Sequence, residues 1–230
     1  RFARLETVDA ASLAAHFGSV SAVTFTAAET FARADGTLTE GFLPALVALL
    51  EVPGIVIALV IASRALAGRD MTSAIHEVLT GKSVLLLVGG LLIGTFASEK
   101  GTAAVEPLFI GLFPGILCLF LLDLGSLAGK RFEYVRRAGP RFISLAIVLP
   151  VVFGTIGVLA GSVAGLSEGG AMVLGIMAAS ASYIAAPAAV RVALPEADLG
   201  LSLGAAIGIT FPFNLIVGIP LLSEFSAFVN

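Results

Sequence analysis

Ala178-Ala179-Ser180-Ala181-Ser182-Tyr183-Ile184-Ala185-Ala186-Pro187 lies in the middle of a long apolar segment, yet it presents hydroxyls and a proline where lipid would favour Leu and Val. A near-copy lies far upstream, Gly18-Ser19-Val20-Ser21-Ala22-Val23-Thr24-Phe25-Thr26-Ala27-Ala28. Laid without gaps on Ala179 to Ala189, it matches at Ser19/Ser180, Ser21/Ser182, Ala27/Ala188 and Ala28/Ala189. Ser and Ala in a single apolar helix are ordinarily packing residues. Here the Ser-x-Ser pattern occurs twice, and each copy is followed by a proline at a similar distance. Ser19 to Pro53 is 34 residues and Ser180 to Pro212 is 32, the prolines standing in Glu51-Val52-Pro53 and Thr210-Phe211-Pro212. That repetition favours a site over simple packing.

With 58% hydrophobic and only 13% charged residues, and a mean hydropathy of +1.05, a 230-residue chain cannot stay in water. The composition is that of an all-α membrane protein, a polytopic helical bundle. Two-residue alternation is missing from the long runs, which argues against a β-barrel. Cys118 is alone in an apolar run, so no disulfide framework is expected. Clustered Cys/His ligands, phosphate loops and basic nucleic-acid patches are absent, and Gly18-Ser19 has no hydrolase context. No cofactor, resident metal, nucleic-acid partner or enzymatic activity is expected. His16 and His76 lack metal-ligand company and read as plain residues.

Seven apolar stretches can each cross a hydrocarbon core of about 30 Å, which takes about 20 helical residues. They lie at 8–33, 38–66, 82–98, 106–126, 139–162, 168–194 and 198–226. Thr7 or Asp9 is placed to cap the first, and Thr37 or Thr39 the second. If the spans alternate, eleven of the 13 Lys and Arg residues fall on one side and only Arg33 and Lys100 on the other. The basic side is therefore cytoplasmic. Residues 68–81 read as a short surface helix joining two halves, and 126–141, with Lys130-Arg131 and Arg136-Arg137, as a connection lying on the anionic inner leaflet. The resulting units are 1–67, the connector 68–81, and 82–230.

By the same alternation, 8–33 starts inside and 168–194 starts outside, so the two Ser-x-Ser repeats have opposite orientations. Paired interrupted helices in inverted halves mark the midplane site of a secondary transporter. Ser, Gly and Ala let the helix break, and the freed backbone groups survive only beside a polar cavity or ligand. Half-helix N-termini and Ser hydroxyls suit a small anion. Freed carbonyls and the Glu51 carboxylate suit a hard cation such as sodium. A charge at mid-bilayer costs at least about 2.5–3.5 kcal/mol, so Glu51 should not face lipid. Asp123, nearer the end of its span, is either interfacial or a proton or ion carrier.

At these residues the chain resembles the sodium-dependent bicarbonate transporter superfamily, known best from cyanobacteria. The resemblance rests on Thr7-Val8-Asp9-Ala10, Phe17-Gly18-Ser19-Val20-Ser21 with Thr24, Glu51-Val52-Pro53, Pro107-Leu108-Phe109, Leu122-Asp123, Ala178-Ala179-Ser180-Ala181-Ser182 with Pro187, and Gly208-Ile209-Thr210-Phe211-Pro212. It implies inverted five-helix repeats, a core and a gate domain, and trimers in a bacterial inner membrane. The interrupted fourth and ninth helices would be 8–33 and 168–194, with three spans preceding this chain. It further implies that Gly18, Ser19, Ser21, Thr24, Glu51, Ser180, Ser182, Tyr183 and Thr210 line a site for bicarbonate with sodium as the coupling ion. Cyanobacterial members carry an acidic residue where this chain has Tyr183. Their long central loop, the place of a PII-like regulatory partner, is reduced here to 68–81. Other readings of the same residues are a sodium/proton exchanger, a carrier of another small carboxylate, and an anion-binding membrane receptor that moves nothing.

Overall fold

The computed structural model describes residues 5–66 and 70–230. Arg1, Arg4 and Arg69, counted above on the basic side, and the start of the connector at 68–69 lie outside the described residues. Among the described residues every element is helical. In chain order these are α1 Thr7–Phe17, α2 Ala22–Ala34, α3 Leu43–Ala65, α4 Thr72–Thr80, α5 Lys82–Phe96, α6 Glu99–Glu106, α7 Phe113–Ala138, α8 Pro140–Val163, α9 Glu168–Ala179, α10 Ala185–Ala193, α11 Leu199–Leu203, α12 Phe211–Phe213 and α13 Ile219–Val229. Wider π-helical turns at Pro107–Gly111, Gly204–Thr210 and Asn214–Gly218 join α6 to α7 and run α11, α12 and α13 into one rod.

Among the described residues five helical stretches are long and apolar enough to cross a membrane: Leu43–Arg64, Thr72–Phe96, Lys100–Lys130, Pro140–Val163 and Leu199–Val229. The expected spans at 8–33 and 168–194 are not among them, because each is split into two shorter helices. A short helix does stand in the connector, α4 with Ala74 and Val78 buried, but it falls within the apolar stretch Thr72–Phe96 together with α5. The connection expected at 126–141 is mostly helix: α7 continues through it to Ala138. Glu133 supports that extension by pairing with Arg136 at 3.8 Å and Arg137 at 3.4 Å, one turn on. The helix stops at Gly139, whose φ of 87° only glycine adopts freely, and Pro140 opens α8.

Small residues decide how closely these helices approach. On α8, Gly157 and Gly161 face α9 so tightly that an added Cβ would sit 2.8 Å from Gly175 Cα and 2.8 Å from Ala171 Cα respectively. With no hydrophobic drive between helices in lipid, such backbone-to-backbone packing is what joins them. The α1–α3 contact is closer still, for a Cβ on Gly54 would overlap the Gly18 carbonyl. By contrast α5 and α7 turn Leu86, Phe96 and Leu119 outward at 75%, 82% and 70% exposure, as lipid-facing helices do.

Gly54→Ala is therefore expected to lower the melting temperature in detergent by at least about 5 °C or to abolish monodisperse protein, since overpacking costs about 1–3 kcal/mol or more. Gly90→Ala, with open space around it, should change it little. Equal melting temperatures would refute the packing assigned to Gly54.

Candidate functional site

The two hydroxyl-rich stretches both interrupt their helices. The first break runs from Gly18 to Ser21, between α1 and α2; the second runs from Ser180 to Ile184, between α9 and α10. The backbone is extended at the end of the first, with Ser21 at φ −105° and ψ 114°, and at the start of the second, with Ser180 at φ −84° and ψ 170°.

The breaks meet each other. The Ser21 N–H donates to Ser180 Oγ at 2.8 Å, and the Ser182 N–H donates to the His16 carbonyl at 2.8 Å. Within each break the two serines divide the work in the same way. The first serine donates to a carbonyl: Ser19 Oγ to Glu51 at 2.7 Å, Ser180 Oγ to Met177 at 2.7 Å. The second serine caps the half-helix that follows. Ser21 Oγ accepts from the Thr24 N–H at 3.2 Å and its hydroxyl at 3.0 Å, while Ser182 Oγ accepts from the Ala186 N–H at 3.2 Å. Ser19, Ser21, Thr24, Ser180, Ser182 and Glu51 are all buried. The N-termini of α2 and α10 thus both lie at the crossing, where helix N-termini favour an anion.

Contacts at the two ends of the crossing fix its sense. The loop after α2 meets the start of α9, where the Gly169 N–H donates to the Thr37 carbonyl at 3.0 Å. The loop after α10 meets the start of α1, where the Asp198 N–H donates to Asp9 Oδ1 at 2.8 Å. The interrupted helices therefore run antiparallel past one another. Thr37 and Thr39, expected to cap the second span, sit in the first of these clasps instead, since α3 starts only at Leu43. Thr7 and Asp9 do not cap α1 either; Glu6 stands at its N-cap.

Glu40 is the strongest member of that clasp. Its carboxylate accepts from the Ser167 N–H and hydroxyl, each at 2.6 Å, and lies where a side chain on Gly170 would stand. Burial pushes the Glu40 carboxyl up, but the hydrogen bonds from Ser167 and Thr39 outweigh it and hold the group below the usual range.

The other expected site residues divide. Tyr183 packs its ring edge-on against Phe211, centroids 5.8 Å apart at 73°. Its buried hydroxyl is turned to Ser21 and Thr24 without completing a hydrogen bond to either. Gly18 lies in the first break against Gly54. Thr210 is buried but donates to the Ala146 carbonyl at 2.8 Å, so it ties the last rod to α8 rather than reaching the breaks. Asp123 is exposed on α7, apart from the other residues. A cleft of about 320 Å³, lined by Gly18, Ser19, Leu50, Pro53, Gly54 and Met177 among others, leads to the first break.

Four contributors escaped the sequence reading. Asn214 Nδ2 donates to the Ala179 carbonyl at 2.9 Å, closing the end of α9; its signal was a carboxamide inside an apolar span. Ser12 and Ser202 pair through their hydroxyls at 2.7 Å. His16, read as a plain residue, is fully buried one turn from Ser12, with Nδ1 2.8 Å from the Ser12 carbonyl.

Compared with known proteins, residues 1–227 match a family model described as the Na+-dependent bicarbonate transporter superfamily. No curated protein matches the chain.

Stability should fall below pH 4.5, as protonation of Glu40 removes the clasp. The sign follows from the lowered native pKa: the contribution is complete above the unfolded-state value and is lost as pH drops through the folded one. Glu40→Gln is expected to flatten the acid limb of a thermal-melt profile; an acid limb identical to that of the unsubstituted protein would contradict the clasp.

Proposed function

The chain belongs to the Na+-dependent bicarbonate transporter superfamily, and on that premise we propose that it carries a small anion, bicarbonate together with sodium, by alternating access. The supporting observation is the reciprocal contact of the two breaks, Ser21 N–H on Ser180 and Ser182 N–H on the His16 carbonyl. Antiparallel interrupted helices that meet at mid-span are what the last two spans of one inverted repeat, in 1–67, and a second repeat, 82–230, joined by the connector 68–81, would produce.

In this reading the anion sits at the N-termini of α2 and α10, beside Ser21, Thr24, Ser182 and Tyr183. Ser19, Ser180 and the Gly18 turn hold the breaks open to it. Sodium, the coupling ion, takes freed carbonyls and the Glu51 carboxylate, so that anion and cation partly neutralise one another away from water. No covalent step is involved. The exposed α5 and α7 form part of the gate against which the core moves. The protein works as a homotrimer in a bacterial inner membrane with its basic face cytoplasmic. Exposure of Asp123 on α7, apart from the breaks, leaves the proton-exchanger reading less supported than symport.

Sodium-dependent counterflow of labelled bicarbonate in proteoliposomes tests this directly. Ser19→Leu and Ser182→Leu should each reduce uptake by at least about a hundredfold, since a polar contact is lost and the site is filled, while the purified protein stays monodisperse. Uptake within a factor of two of the unsubstituted protein in both variants would refute the site. Equal uptake with and without sodium would refute the coupling.

A further inference from the structure

Two buried side-chain groups beside the crossing, His16 Nε2 and the Tyr183 hydroxyl, have no hydrogen-bond partner. Leaving such groups unpaired in a closed core is unfavourable, and native proteins rarely tolerate it without a reason. Three of the serine hydroxyls around them are already committed. Ser19 donates to Glu51, Ser180 to Met177, and Ser12 pairs with Ser202. The unused capacity of the site therefore lies on the imidazole and the phenol, together with the O–H donors of Ser21 and Ser182, whose oxygens only accept.

The tautomer of His16 follows from its one contact. Nδ1 stands 2.8 Å from a carbonyl oxygen, which can only accept, so Nδ1 carries the proton. In the neutral ring Nε2 then bears a lone pair and is an acceptor alone. Position follows from the same helix. Ser12 and His16 share one face of α1, Ser12 touching Ser202, while the His16 carbonyl holds the Ser182 N–H. The backbone of His16 is thus tied to the second break, while its ring lies buried on the Ser12 face of α1. A third unpaired atom, Asn214 Oδ1, turns back towards Gly218 on its own helix.

We propose that His16 is a specificity-determining residue of the crossing: Nε2 accepts a hydrogen bond from an oxyanion that keeps one O–H, while Tyr183 donates to a charged oxygen of the same anion. The inference rests on the transport reading given above and adds the group that chooses among anions. Bicarbonate carries both a hydroxyl and charged oxygens and satisfies both side chains. Nitrate and formate are of similar size and charge but have no O–H. Either would leave Nε2 buried and unpaired, with its lone pair facing an oxygen lone pair. Sites built to bond a ligand hydroxyl reject analogues that lack it far more strongly than apolar pockets reject a missing methylene.

The test is uptake of labelled bicarbonate by the whole protein in proteoliposomes, with nitrate and formate as competitors. Half-inhibition of the unsubstituted protein should need at least about tenfold more nitrate or formate than unlabelled bicarbonate. In His16→Leu, bicarbonate affinity should fall about tenfold while nitrate and formate inhibit as well as before or better. His16→Gln, which returns an acceptor oxygen, should recover most of the preference. Unchanged bicarbonate affinity in His16→Leu, or equal loss for all three anions, overturns the assignment. Failure of the unsubstituted protein to take up bicarbonate overturns the transport reading itself, and the His16 role with it.

A measurement on unsubstituted His16 keeps the question open to refutation if the variants misfold. The chain has two histidines, so His76→Gln, altering an exposed residue, leaves His16 as the single 15N-histidine signal. Its unprotonated Nε2 resonance should move on addition of bicarbonate and not of nitrate; a resonance indifferent to both overturns the proposal.

Discussion

A helix cannot stop halfway across a bilayer unless something other than lipid receives its backbone N–H and C=O groups. Two helices stop here, and each takes up what the other exposes. The Ser21 N–H goes to Ser180, and the Ser182 N–H goes to the end of α1. Neither break would be tolerable alone, because each unpaired group in hydrocarbon costs several kcal/mol. The pair becomes stable only when the two segments cross at one depth.

The rest of the architecture keeps that depth fixed. The clasp of Glu40 on Ser167 holds one end, and Asp9 on the 194–198 loop holds the other. Between them Gly18 and Gly54 let α3 lie against the first break, and Gly157 and Gly175 let α8 lie against the second half's α9. A side chain at Gly54 or Gly157 would hold its pair of helices apart and weaken the crossing. Asn214, reaching from the last rod to the Ala179 carbonyl, closes the end of α9 in the same way that Ser19 meets Glu51 on α3. The outer helices α5 and α7 share few of these ties and present apolar surface, as elements that face lipid must.

Both breaks were readable from sequence because their physics is local: Ser-x-Ser in a run of small residues, with a proline downstream, departs from what a plain span requires. Hydropathy likewise located the apolar stretches, though it could not show that α7 runs on through Arg137, because a charged amphipathic extension and a surface loop have the same composition. What stayed hidden was long-range. Glu40 reads as one acid in a polar loop until Ser167, 127 residues later, is seen beside it. Ser12 and His16 gain meaning only from Ser202 and Ser182. Thr210 matches Glu51 by its place in the repeat, and its hydroxyl donates to the Ala146 carbonyl of α8, a contact no sequence pattern announces.

The most direct measurement is a cryo-electron-microscopy map of the protein in lipid nanodiscs with saturating bicarbonate and sodium, set against one without either. Anion density between the start of α2 and the Ser180–Tyr183 segment, absent from the second map, is the result expected. Density located elsewhere, with the two breaks closed identically on each other in both maps, would contradict the claim that the crossing is where the ligand binds.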